Sequence, residues 1–121
     1  MKSGLLKHLC IGVGLLGAAM LTGCANRPKP LYHWGNYQPQ VYEYFKGDGK
    51  GHEEQIATLE ENLQKVRANG ESLPPGYHAH LGLLYIKAGK EDQVKQQFET
   101  EKTLFPESSS YMDFLLRKFK K

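Results

Sequence analysis

The side chains able to do chemistry here are histidines, carboxylates, serines, a glycine cluster and two thiols, and their spacing decides what each can do. His78 and His80 stand two apart. On a helix that spacing sends them to different sides, whereas a helical metal pair stands three or four residues apart. With His33 and His52 isolated, the pattern implies packing or solvated histidines and no metal site. Ser72, Ser108, Ser109 and Ser110 lie in turn-like segments, without the glycines that surround a nucleophile elbow. The pairs Glu53/Glu54, Glu60/Glu61 and Glu91/Asp92 fall on polar helix starts and faces. Glycoside hydrolysis instead needs two carboxylates across a cleft. Gly47, Gly49 and Gly51 lack the strand and the lysine-serine ending of a phosphate loop. These residues predict a non-enzyme with no cofactor and no metal.

The thiols are more informative. Lys2 and Lys7 precede a 12-residue uncharged apolar run, Leu9 to Met20. A bilayer span needs roughly 20 residues, so the run reads as a secretory signal peptide. It closes on Leu21, Thr22, Gly23 and Cys24, which resembles the bacterial lipobox. That resemblance implies cleavage before Cys24 and a thioether from its sulfur to diacylglycerol. Two acyl chains give stable anchoring, at about 0.8 kcal/mol per buried methylene. Cys10 leaves with the leader and Cys24 is lipidated, so no thiol is left for a disulfide or a nucleophile. Ala25 follows the lipid cysteine; by the sorting rule of enteric-type bacteria this implies the outer membrane, periplasmic face.

Removing residues 1–23 takes away two lysines and no acid, leaving 14 basic and 13 acidic groups. That balance excludes a strongly basic nucleic-acid binder. Thirteen aromatics remain in the mature chain, too many for a disordered tether. The expected organisation is a signal peptide at 1–23, a lipidated tether and aromatic segment at 24–38, and a helical domain at 39–121.

That domain reads as helices throughout. Pro39 suits a first helical position, and Val41, Tyr42 and Phe45 mark one face of the helix it opens. Ile56, Leu59, Leu63 and Val66 form a stripe over a helix from about His52 to Asn69, stopped by Gly70. Gly76 to Ala88 is apolar on more than one side, as in a buried or grooved helix. Glu91 to Leu104 turns Val94, Phe98 and Leu104 inward, and Pro106 stops it. Ser110 and Asp113 suggest a capping box for a last helix carrying Met112, Leu115, Leu116 and Phe119.

Leu81, Gly82 and Tyr85, with Gly89, Phe98 and Pro106, resemble the tetratricopeptide repeat, a pattern of about 34 residues. The resemblance implies that Gly82 lets two helices approach, with Tyr85 and Phe98 filling the space between them. His78, Val94 and Glu101 depart from the pattern, which makes the unit degenerate. Gln38, Val41, Tyr42 and Phe45 repeat the offsets of His78, Leu81, Gly82 and Tyr85, as do Met112, Leu115, Leu116 and Phe119, at steps of 40 and 34 residues. The fold class expected is all-α, a tetratricopeptide-like stack of about five helices.

The mature chain also resembles a family of small bacterial outer-membrane lipoproteins of unknown function. The likeness rests on Tyr32, Trp34, Gly35 and Tyr37, on Gly76 to Tyr85, and on Glu101, Lys102, Leu104, Phe105, Pro106 and Glu107 leading to Met112. Such lipoproteins are often encoded beside lipoproteins resembling the curli secretion channel, which implies a channel-type lipoprotein partner. Two groups are candidates for partner binding. Ala79, Leu83, Ile86 and Lys87 line the groove side of the third helix. Tyr32, Trp34 and Tyr37 combine apolar area with polar tips, as at interfaces. Trp34 is expected to fold back and be covered, either by its own groove around Leu83 and Ile86 or by a partner, with self-packing preferred. The function expected is docking or assembly of another envelope protein. The alternatives are an envelope enzyme acting on peptidoglycan and a purely structural or stress lipoprotein.

Overall fold

In the computed structural model of the chain, residues 28–47 and 51–119 are described, together with Gly4 and His8. Cys24, Ala25 and Cys10 lie outside the described residues. Tertiary contacts divide the chain into a unit to Pro30 and a unit from Leu31, so the aromatic segment belongs with the helices rather than with the tether. Among the described residues of the second unit all regular structure is helical, as expected: α1 (Tyr37–Lys46), α2 (His52–Ala68), α3 (Tyr77–Lys87), α4 (Glu91–Leu104), a 3-10 turn (Pro106–Ser108) and α5 (Ser109–Phe119).

The α2 stripe is the floor of the core: Ile56, Leu59, Leu63 and Val66 are buried. Glu53 and Glu54 occupy its first turn and Lys65 and Arg67 its last, each on the side the helix dipole favours. The chain leaves α2 through Gly70 at φ 63°. The Glu71 N–H returns to Val66 C=O (3.0 Å) and the Gly70 N–H to Arg67 C=O (3.2 Å), a Schellman ending that needs a residue tolerant of positive φ.

Helix α3 lies at the centre. Tyr77, Leu81 and Leu84 are fully buried, and the Tyr77 hydroxyl donates to Leu59 C=O on α2 (2.7 Å). Gly82 faces α4: a Cβ there would lie 2.5 Å from Phe98 Cε1. The tight α3–α4 approach implied by the repeat resemblance is therefore present, with Phe98 in the space that Gly82 leaves. Helix α5 closes the unit with Met112 buried and Leu115, Leu116 and Phe119 packed on the core.

Four expectations shift. Helix α1 begins at Tyr37, not Pro39. Its inward face sits one residue earlier than the repeat offsets require: Tyr37, Gln40 and Tyr44 turn in, while Tyr42 and Phe45 are 64% and 79% exposed. Both stripes are aromatic, so periodicity alone did not separate them. Leu104 was expected inward but is 53% exposed, at the last turn of α4. The Ser110–Asp113 box is replaced by Ser109 at the helix start, because Asp113 is drawn to Lys102 Nζ on α4 (2.6 Å).

Candidate functional site

The interior polar groups all serve the fold. His78 points to α4, its Nδ1 2.7 Å from Gln97 Oε1. His80 points to α1 instead, edge-on to Tyr37 (5.9 Å) and Tyr44 (5.3 Å). The two histidines thus diverge as their spacing demands, and no metal-binding cluster of His, Cys, Asp or Glu occurs among the described residues. Burial holds the His80 imidazole well below its usual range, at about 4, with the Gln40 backbone partly offsetting it. Its Nε2 has no hydrogen-bond partner among the described residues, nor does Gln40 Oε1.

Glu101 is the buried carboxylate that sequence reasoning registered only as a departure from the repeat. It is 2% exposed. Helix α3 starts after Gly76, whose φ of 88° leaves a helix start with no side-chain cap. Glu101 reaches across from α4 instead: Oε1 accepts the Gly76 N–H (2.6 Å) and Oε2 the Ala79 N–H (3.3 Å). A carboxylate on orphan N–H groups at a helix N-terminus is favoured by hydrogen bonding and dipole together. Its charge also helps burial raise the Tyr37 phenol above the usual tyrosine range. Burial similarly pushes Tyr77 up to about 12, against the bond from Asn62. Tyr85 is raised by burial and by its bond to the Glu60 carboxylate.

The aromatic segment lies on its own helices. The His33 N–H donates to Ser72 C=O (2.7 Å), and its ring Nδ1 meets Glu71 Oε2 (2.9 Å). Tyr32 sits edge-on to Phe105 (6.1 Å), and Tyr37 packs on Tyr77 (5.2 Å). Trp34 departs from expectation. It stacks on Tyr37 (6.3 Å, 23° between planes) and is 44% exposed, rather than entering a groove around Leu83 and Ile86. The bond from the Tyr37 N–H to Trp34 C=O (2.9 Å) makes a tight turn there, too short for the indole to reach back along α3.

On α3, Ala79, Leu83 and Ile86 are half-buried against the core and Lys87 is exposed. Sequence reasoning missed two further stripes. Tyr42 and Phe45 lie outside the core on α1. On α5, Tyr111 and Phe114 stack (6.4 Å), and Lys118 Nζ lies 5.7 Å from the Phe114 ring centre. Asp113 marks the α4 side of that helix, so Tyr111, Phe114 and Lys118 occupy the opposite flank. The signal for the second stripe was in the sequence: 111, 114 and 118 share a helical face that excludes Met112.

A cleft of about 520 Å³ opens between the last turn of α2, the loop after it and the end of α4. Leu63, Val66 and Leu73 form its floor, Phe105 and Tyr32 one rim, and Arg67 and His78 are among its polar residues.

Among the described residues no helix is long and apolar enough to cross a membrane. No curated protein and no solved structure matches the chain. A family model described as a domain of unknown function, DUF4810, matches residues 31–115, beginning where the helical unit begins, and the chain belongs to that family.

Proposed function

We propose that this protein is a lipid-anchored interaction module of the bacterial cell envelope. Cys24 carries the lipid, Ala25 directs the protein to the outer membrane, and the helical unit docks another envelope protein at the periplasmic face. A channel-type lipoprotein is the partner we name first. One observation carries the docking reading: α1 and α5 each hold exposed aromatic side chains outside the core, at Tyr42 and Phe45 and at Tyr111 and Phe114, and α3 leaves Leu83 and Ile86 only partly buried against it. Aromatic side chains of this kind are enriched at protein interfaces, where charge is sparse at the centre. Lys87 and Lys118 border them, and none of the six is acidic. Glu101 is engaged in capping α3 and His80 in packing on α1, which supports binding rather than catalysis.

The test is site-specific photocrosslinking in cells. A benzophenone side chain at Phe45, Leu83 or Phe114 should give one adduct with the same channel-type lipoprotein. The same group at Gln96, exposed on α4, should give none. Equal adducts from Gln96, or none from the three, overturn the reading.

A further inference from the structure

The cleft beside the aromatic segment is separate from the proposed docking stripes. We propose that it binds a small amphiphile with an apolar body, a carboxylate and a hydroxyl group. Its volume of about 520 Å³ falls within the range of small-ligand sites, roughly 300–1,000 Å³, which pair apolar walls with a few placed polar groups. The apolar body rests on Leu63, Val66 and Leu73, which are buried core residues. Leu104 borders the same space and is 53% exposed, which leaves its side chain open to an apolar body.

Two polar groups define the rest of the ligand. Arg67 lines the cleft and pairs with no acidic side chain among the described residues. The neighbouring Glu71 carboxylate is turned to His33, so the guanidinium is the charge left to meet a carboxylate, which it matches in a bidentate fork. His78 is the second group. With Gln97 Oε1 accepting from Nδ1, Nδ1 holds the proton and Nε2 is an acceptor. His78 lines the cleft and is 3% exposed, so an acceptor there selects a hydroxyl donor. Tyr32, edge-on to Phe105, closes one rim.

The experiment titrates 3-hydroxyoctanoate into the full-length protein in lipid nanodiscs, with empty nanodiscs as blank, and follows protein NMR shifts. Saturable shifts at Thr100, Phe105 and the His78 ring are expected. 3-Hydroxyoctanamide, lacking the charge, should bind about tenfold more weakly, as for loss of one charge-assisted pair. Octanoate, lacking the hydroxyl, should bind severalfold more weakly. Arg67→Ala, at an exposed position, should erase the preference for acid over amide, and His78→Phe the preference for the hydroxyl. No saturable binding, equal binding of all three probes, an acid preference that survives Arg67→Ala, or shifts confined to other surfaces would each overturn the proposal.

Discussion

His80 is the residue whose chemistry reaches furthest into stability. Its ordinary pKa of 6.5 falls to about 4 in the folded chain because burial penalises the charged ring. The unfolded chain therefore takes up a proton below pH 6.5 that the folded chain refuses until about 4. The His80 contribution to stability is flat above 6.5, falls through that window and lowers stability by up to ~3 kcal/mol below it. Denaturant titrations from pH 7 to 4 on wild type and His80→Phe should show this slope reduced in the variant; parallel slopes would remove His80 as its source. Trp34 makes a different claim. Half in solvent and stacked on one tyrosine, it should emit at long wavelength and be quenched by iodide. Trp34→Ala should cost about 1 kcal/mol, the scale of one aromatic pair, rather than the 3–5 kcal/mol of a buried aromatic. A blue, unquenched emission would mean that a neighbour covers it. At this scale the sequence was legible in part. The divergence of His78 and His80 followed from their spacing, whereas the Glu101 cap joins two helices and leaves no local pattern to read.

Helices were the most legible level, since α2 presents one clean apolar stripe and α5 carries Met112, Leu115, Leu116 and Phe119 on its inner face, and both pack as those residues require. The misreading of α1 has a physical cause: Tyr37 and Tyr44 compete with Val41, Tyr42 and Phe45, and only the position of α2 and α3 chooses between them. Helix α1 is held chiefly by Tyr37, Tyr44 and Gln40, a seam where Gln40 Oε1 and His80 Nε2 have no hydrogen-bond partner among the described residues. Hydrogen exchange should find its amides opening well before those of α3 and α4, as for elements with few buried apolar contacts. Equal protection would show that α1 unfolds only with the whole unit. The α3–α4 pair is the opposite case. Phe98→Ala should cost ~3–5 kcal/mol, and Gly82→Leu should destabilise by forcing a side chain into the Phe98 ring. If both melt like wild type, the close approach of these helices is not what holds the unit.

For the molecule as a whole, the proposed anchor at Cys24 would decide where the domain works. Cys24→Ala is expected to block lipid attachment and leave an unprocessed or mislocalised precursor, read as the absence of radiolabelled palmitate on the variant. Label on that variant would remove Cys24 as the anchor. Less of the candidate site than of the fold could be read from the sequence. Ala79, Leu83, Ile86 and Lys87 could be grouped from the sequence because one helix carries them all; their partner-binding role is the proposal that the crosslinking tests. The α1 stripe becomes visible only once burial has sorted core from surface, and the cleft needs three chain segments distant in sequence.

Gly76, Tyr37 and Glu101 together set a rule of inheritance. A Cβ on residue 76 would lie 2.7 Å from the Tyr37 hydroxyl oxygen, and its φ of 88° already disfavours any other residue. Glycine there cannot cap the helix that follows, so the acid twenty-five residues later becomes obligatory. The three positions behave as one heritable character rather than three. Across the family they should change together: a lineage that loses the acid at 101 should also have relaxed 37 and gained asparagine or aspartate at 76, the residues that both tolerate positive φ and cap a helix.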